Sequence, residues 1–133
     1  MKKILLVDDL GIDVMLTRLA LEGFGAGYRV DVAGDGEEAL RRIGEQRFDL
    51  LLLDIKMPRV DGLELLETLR SGAVDAPPVV ILSASNLAAD RERAFSLGAI
   101  DYIQKAVDYG AFKRELKAAL DRHGFGAAPA MVS

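Results

Sequence analysis

The sequence predicts an α/β fold built on a doubly wound parallel sheet, and three observations carry that prediction. Short apolar runs alternate five times with stretches of helical spacing. Three runs, Ile4 to Val7, Leu50 to Leu53 and Val79 to Leu82, have no polar break, as expected of strands buried on both faces. Two others, Tyr28 to Val32 and Ile100 to Ile103, alternate polar with apolar residues, which suits the edges of a sheet.

Each element has its own signal. After Ile4 to Val7 come Asp8 and Asp9, then a helix over 11–24 with Ile12, Leu16, Leu19 and Ala20 on one face. Val14 and Leu21, seven apart, form a second apolar stripe, read as core rather than as a docking face. Gly23, Gly25 and Gly27 end that helix and turn the chain. Their Gly-x-Gly spacing is no dinucleotide fingerprint, which needs a strand before it and a helix after it. Gly34-Asp35-Gly36 leads into a helix over 36–46, with Ala39, Leu40 and Ile43 inward. Leu63, Leu66 and Leu69 mark a helix that stops near Gly72, and Asp61 is placed to cap it. A charged helix over 86–97 ends at Gly98, and its run Asp90 to Arg93 reads as a solvated face. The last helix covers 108–122, with Phe112, Leu116 and Ala119 at helical spacing and His123 at its solvated end. Residues 124–133 lack periodicity, so the domain is set at 1–123 with a loose C-terminal tail.

Three apolar strands have to be central and two alternating strands peripheral. The order 2-1-3-4-5, the flavodoxin-like arrangement with helices on both faces, satisfies this. Chain direction then reverses between the first and third strands, whose carboxyl ends flank a crevice suited to ligands.

Composition limits the function. A chain of 133 residues, half of them hydrophobic, suits one globular domain. Net charge -4 and pI about 5.0 argue against direct nucleic-acid binding. Without cysteine there is no disulfide framework or thiol chemistry. The apolar start stops at Asp8, too short for a signal core, and nothing approaches a membrane span. The expected location is cytoplasmic.

The chemistry lies at the strand ends. Asp54 closes the most apolar run and faces the turn marked by Met57-Pro58 and Asp61-Gly62. On that stretch alone, a nucleophile or metal ligand and a strand-end turn cap are both open readings. The other strands favour the first. They deliver Asp8 and Asp9, Ser83 and Lys105 to the same end of the sheet. Carboxylates that close repel one another unless a cation sits among them, and oxygen ligands with open positions suit Mg²⁺. Asp54 is then the nucleophile towards phosphorus, with Lys105 and the Ser83 hydroxyl holding phosphoryl oxygens. The product is an aspartyl phosphate.

These residues resemble the response-regulator receiver domain of two-component signalling, over residues 2 to about 122. The acid pair Asp8-Asp9, the motif DIKMPRVDG at 54–62, Ser83-Ala84 and the run Gly98-Ala99…Tyr102…Lys105 carry the likeness. The resemblance implies that Asp54 becomes 4-aspartylphosphate. It implies that Asp9, Asp54 and the backbone carbonyl of Lys56 bind Mg²⁺, with Asp8 binding through water. Ser83 and Tyr102 are the implied switch pair. The stretch DVMLTRLALEG at 13–23 is also similar to stand-alone regulators served by phytochrome-type histidine kinases. The implied partners are a sensor histidine kinase, then a downstream protein target or phosphotransfer protein. A homodimer through the fourth helix, fifth strand and fifth helix fits the family, and neither nucleic acid nor membrane is an expected partner.

One departure is Ala106, where the family usually has proline after the lysine. A cis bond there would cost about 3 kcal/mol, so a trans bond and a reshaped last loop are expected. Lys56 is expected to cover the phosphoryl group; a Lys56→Ala protein that loses phosphate no faster would remove that idea. No catalytic turnover is expected beyond autophosphorylation and autodephosphorylation. Two rivals are a phosphorylation-independent scaffold, which predicts a broken acid cluster, and an aspartyl-nucleophile phosphatase, which needs an acid where Lys56 stands.

Overall fold

The computed structural model describes residues 2–9, 11–25, 27–55, 61–72, 76–84, 87–105 and 108–126. Strands and helices alternate along the chain as β1 (Lys3–Val7), α1 (Gly11–Gly23), β2 (Arg29–Ala33), α2 (Gly36–Glu45), β3 (Leu50–Asp54), α3 (Gly62–Arg70), β4 (Val79–Ser83), α4 (Ala88–Ser96), β5 (Asp101–Gln104) and α5 (Tyr109–Arg122). All strands pair in parallel, in the order β2-β1-β3-β4-β5. This is the predicted flavodoxin-like order.

The unbroken apolar runs are explained by two cores, one on each face of the sheet. Alternate residues Leu5, Val7, Leu51, Leu53 and Ile81 pack beneath α2, α3 and α4. Their neighbours Ile4, Leu6, Leu50, Leu52 and Leu82 pack beneath α1 and α5. A strand covered on both sides has no position short of its end that tolerates an unpartnered polar side chain. β5 is an edge, yet Tyr102 and Ile103 are both buried, one in each core.

Helix ends follow local chemistry. The Asp35, Asp61 and Asp108 carboxylates accept from the N–H groups of Glu38, Glu64 and Gly110, so each caps a helix start. Gly25 and Gly27, past the end of α1, have φ of 74° and 70°, which favours glycine.

The structure corrects the expected inward face of α1. In α1 the inward residues are Thr17, Ala20 and Leu21, with Val14 packed against the core. Ile12 and Leu19, expected inward, are 60% and 51% exposed. The sheet covers Val14 and Leu21 of one stripe and Ala20 of the other, and leaves Ile12 and Leu19 on the outer side. The buried face carries the small Thr17 and Ala20, which let the helix lie close to the strands. At residues 124–126, contacts run back to the domain. The Phe125 N–H donates to the Leu120 carbonyl at 2.7 Å, and the Tyr28 hydroxyl donates to the Phe125 carbonyl. The Lys2 ammonium lies 5.6 Å from the Phe125 ring centroid. Residues 124–126 thus pack back against the amino end of the sheet.

Candidate functional site

Register brings the strand ends level. Val7 pairs with Leu53, Asp54 with Leu82, and Ser83 with Gln104. The residues at or just beyond these positions therefore meet at the carboxyl edge of the sheet. Asp8, Asp9 and Asp54 each place a carboxylate oxygen within 4.8 Å of the others. Asp8 and Asp54 are buried, while Asp9 is exposed.

Lys105 reaches into this group from the end of β5. Its backbone N–H donates to the Ser83 carbonyl at 2.7 Å, which extends the β4–β5 ladder by one residue. Its Nζ lies 2.7 Å from Asp8 Oδ2, 3.0 Å from Asp13 Oδ2 and 3.6 Å from Asp54 Oδ1. Burial disfavours the ammonium. The hydrogen bond to Asp8, the charges of Asp54 and Asp8, and the hydrogen bond to Asp13 more than offset it, so Lys105 titrates above the ordinary lysine range. The lysine stays charged at neutral pH and partly neutralises acids that burial would otherwise penalise.

The acids still outnumber this shared ammonium: Asp8, Asp13 and Asp54 lie within 3.6 Å of Lys105 Nζ, and Asp9 converges with Asp8 and Asp54. A divalent cation suits that remaining charge, and an all-carboxylate donor set suits a hard ion such as Mg²⁺. Asp8, Asp9 and Asp54 are the residues that would hold it.

Two neighbours complete the edge. Ser83 is fully buried at the end of β4, one strand over from Asp54. Tyr102 is buried on the α4 side of β5, with the Arg91 guanidinium 5.0 Å from its ring centroid.

Every predicted site residue among those described thus lies on or beside this edge. The Lys56 carbonyl, Met57-Pro58 and Ala106 lie outside the described residues. Asp61 caps α3 as predicted. His123 is less solvated than expected: its Nε2 lies 3.1 Å from Asp101 Oδ2, which also pairs with Arg122 at 2.5 Å.

Sequence reasoning missed two contributors. Asp13 reaches Lys105 from the first turn of α1, across 92 positions of chain. Its only sequence signal is an acid in the turn after the Asp8-Asp9 pair. The sequence marks Gly62 only as part of a turn, yet a Cβ there would strike the Asp54 carbonyl and lie 2.7 Å from the Ile55 Cα. The Gly62 N–H also donates to the Ile55 carbonyl at 2.7 Å, so α3 begins in direct contact with the end of β3.

This geometry has close relatives. Residues 4–119 match the family model of the response regulator receiver domain. The alkaline phosphatase synthesis transcriptional regulatory protein PhoP of Bacillus subtilis is 37% identical over 121 residues, which is 91% of this chain and 49% of that protein. The chain spans from 25% to 54% of the curated relatives it matches first. Among solved structures, the phosphorylated cyanobacterial phytochrome response regulator RcpA superposes with a TM-score of 0.81 at 30% identity, covering 90% of this chain and 91% of that one. The receiver domain of a Pseudomonas aeruginosa sensor histidine kinase, with magnesium coordinated in its active-site cleft, gives a TM-score of 0.73 at 30% identity, covering 90% and 98%. An acidic crevice at the switch point of a 2-1-3-4-5 sheet, matched along nearly its whole length by that family model, makes this chain a member of the response regulator receiver domain family.

Proposed function

We propose that this domain accepts a phosphoryl group on Asp54 from a histidine kinase, in a Mg²⁺-dependent reaction, and thereby switches a protein-contact surface or passes phosphate onward. The observation that carries the reading is the convergence of Asp8, Asp9 and Asp54 within 4.8 Å, with Lys105 Nζ 3.6 Å from Asp54. An Asp54 carboxylate oxygen forms the new bond to phosphorus. The bond from phosphorus to the donor imidazole nitrogen breaks, and its electron pair leaves with the nitrogen. Asp9, Asp54 and the Lys56 carbonyl would hold Mg²⁺, with Asp8 binding it through water, and the ion would supply charge neutralisation between the carboxylate and the incoming oxygens. Lys105 turns its ammonium to a phosphoryl oxygen, and the Ser83 hydroxyl donates to another. Movement of Ser83 towards the phosphoryl group leaves room for the Tyr102 ring behind it. That couples the edge of the sheet to the α4–β5 surface, with Arg91 moving as Tyr102 does.

The kinase is of the phytochrome type in this proposal. The likeness to RcpA and the sequence at 13–23 support it. The domain then works in the cytoplasm, where such donors present phosphohistidine. Among the described residues, no helix is long and apolar enough to cross a membrane.

The test is intact mass after incubation with Mg²⁺ and acetyl phosphate, for wild type and Asp54→Asn. One added phosphate in the wild type alone is the expected result. No adduct in either protein overturns the proposal. Donor consumed with no lasting adduct points instead to phosphatase turnover.

A further inference from the structure

Two cations have to share one set of oxygens at this site. Lys105 Nζ sits 2.7 Å from Asp8 and 3.6 Å from Asp54, and both belong to the three acids that converge as cation ligands. When those acids take a divalent ion, the ammonium has to yield them. It cannot simply withdraw, because the Lys105 side chain is only 14% exposed. An ammonium so placed requires another anion within hydrogen-bond reach. Asp13 provides one. Its Oδ2 is already 3.0 Å from Nζ, its side chain is 26% exposed, and it is not among the three converging acids. It therefore touches the lysine without belonging to the cation's ligand group.

We propose that Asp13 is a positioning residue for the acidic site: it keeps the Lys105 ammonium paired when Asp8 and Asp54 release it to take up a divalent cation. This rests on the reading that Asp8, Asp9 and Asp54 bind Mg²⁺. Two features make Asp13 suitable. It stands on the first turn of α1, a rigid element that follows directly from the Asp8-Asp9 strand end. Its partial exposure lets it hold a charge at little desolvation cost while the lysine moves between partners. In its absence the ammonium stays on Asp8 and Asp54 and competes with the incoming ion for the same oxygens.

The experiment is calorimetric titration of Mg²⁺ into four proteins: wild type, Asp13→Asn, Lys105→Gln, and the double variant. Asp13→Asn is expected to weaken Mg²⁺ binding about three- to tenfold, as suits loss of one partly exposed charge-assisted hydrogen bond. The same substitution is expected to have no effect in the Lys105→Gln background, where there is no ammonium to hold; the cycle isolates that coupling. Equal Mg²⁺ affinity in wild type and Asp13→Asn overturns the proposal. Asp13 would then serve α1 alone, as an acid favourable at a helix start, and its loss would appear only in thermal stability. Equal weakening in both backgrounds also overturns it, since Asp13 would then act through its field on the metal rather than through the lysine. If the wild type binds no Mg²⁺ at all, the metal reading itself fails and the proposal falls with it.

Discussion

Gly62 lies against the carbonyl of Asp54 with no room for a side chain between them. The acid thus owes its placement to two things, the buried β3 ladder behind it and the first residue of α3 in front of it. In a free helix, replacing glycine by alanine stabilises by up to about 1 kcal/mol. Here the added methyl has to displace backbone at the end of β3, and backbone yields poorly. Gly62→Ala is expected to destabilise by about 1–3 kcal/mol, the usual cost of overpacking. Urea denaturation of the two proteins checks the sign. A stabilised variant would show that α3 is free to slide away from Asp54.

The crowding of acids makes a second prediction. Without metal, Asp8, Asp9 and Asp54 repel one another, and Lys105 offsets only part of that. Asp9→Asn removes one of these charges from the exposed side of the site and is expected to raise the melting temperature of the metal-free protein by a few degrees. Added Mg²⁺ should stabilise the wild type with a logarithmic dependence on concentration, and the variant far less. Melting curves with EDTA and with millimolar Mg²⁺ measure both. A variant that gains as much from Mg²⁺ as the wild type would remove Asp9 from the ligand set.

The face of α1 separates burial from hydrophobicity. Ile12 and Leu19 are exposed although they are apolar, while Leu21 is sealed in the core. Leu21→Ala is expected to cost about 2–5 kcal/mol, the range for an emptied core site. Ile12→Ser and Leu19→Ser should each fall within about 0.5 kcal/mol of wild type, as surface changes do. Chemical denaturation of the three variants distinguishes this face from the one that hydrophobic spacing favoured.

The legible features were those fixed by strand chemistry. Unbroken apolar runs can exist only in a sheet covered on both sides, so Leu50 to Leu53 and its two counterparts had to be central. Once they are central and parallel, the residues that follow them share an edge. The strand pattern alone therefore brings Asp8, Asp54 and Ser83 together, and Lys105 joins them from the end of the parallel fifth strand. The illegible features depend on how elements settle against each other. Both stripes of α1 are apolar, and only packing decides between Ile12 and Leu21. Asp13 meets Lys105 because α1 and the end of β5 border one crevice, which no local pattern encodes. Gly62 looks like any turn glycine until α3 is docked. The pairing of Asp101 with Arg122 and His123 likewise joins the start of β5 to the end of α5.

That last pairing gives a pH dependence away from the acidic site. Burial of Asp101 opposes its charge, but hydrogen bonds from Arg122, the Tyr102 N–H and His123 prevail and hold the carboxyl below its ordinary range. A carboxyl depressed on folding adds stability above its unfolded value of about 4, and that stability is lost as pH falls through the lower folded value. Above about pH 4 the Asp101 carboxylate is charged in both states, so its own titration adds no slope there. Asp101→Asn should therefore be less stable than wild type at about pH 7, and the gap should narrow as pH drops below about 4. Urea midpoints of both proteins, taken across that range, test this. A gap that stays constant into acid would mean that Asp101 contributes by shape and neutral hydrogen bonding, and that its carboxylate charge does not tie α5 to β5.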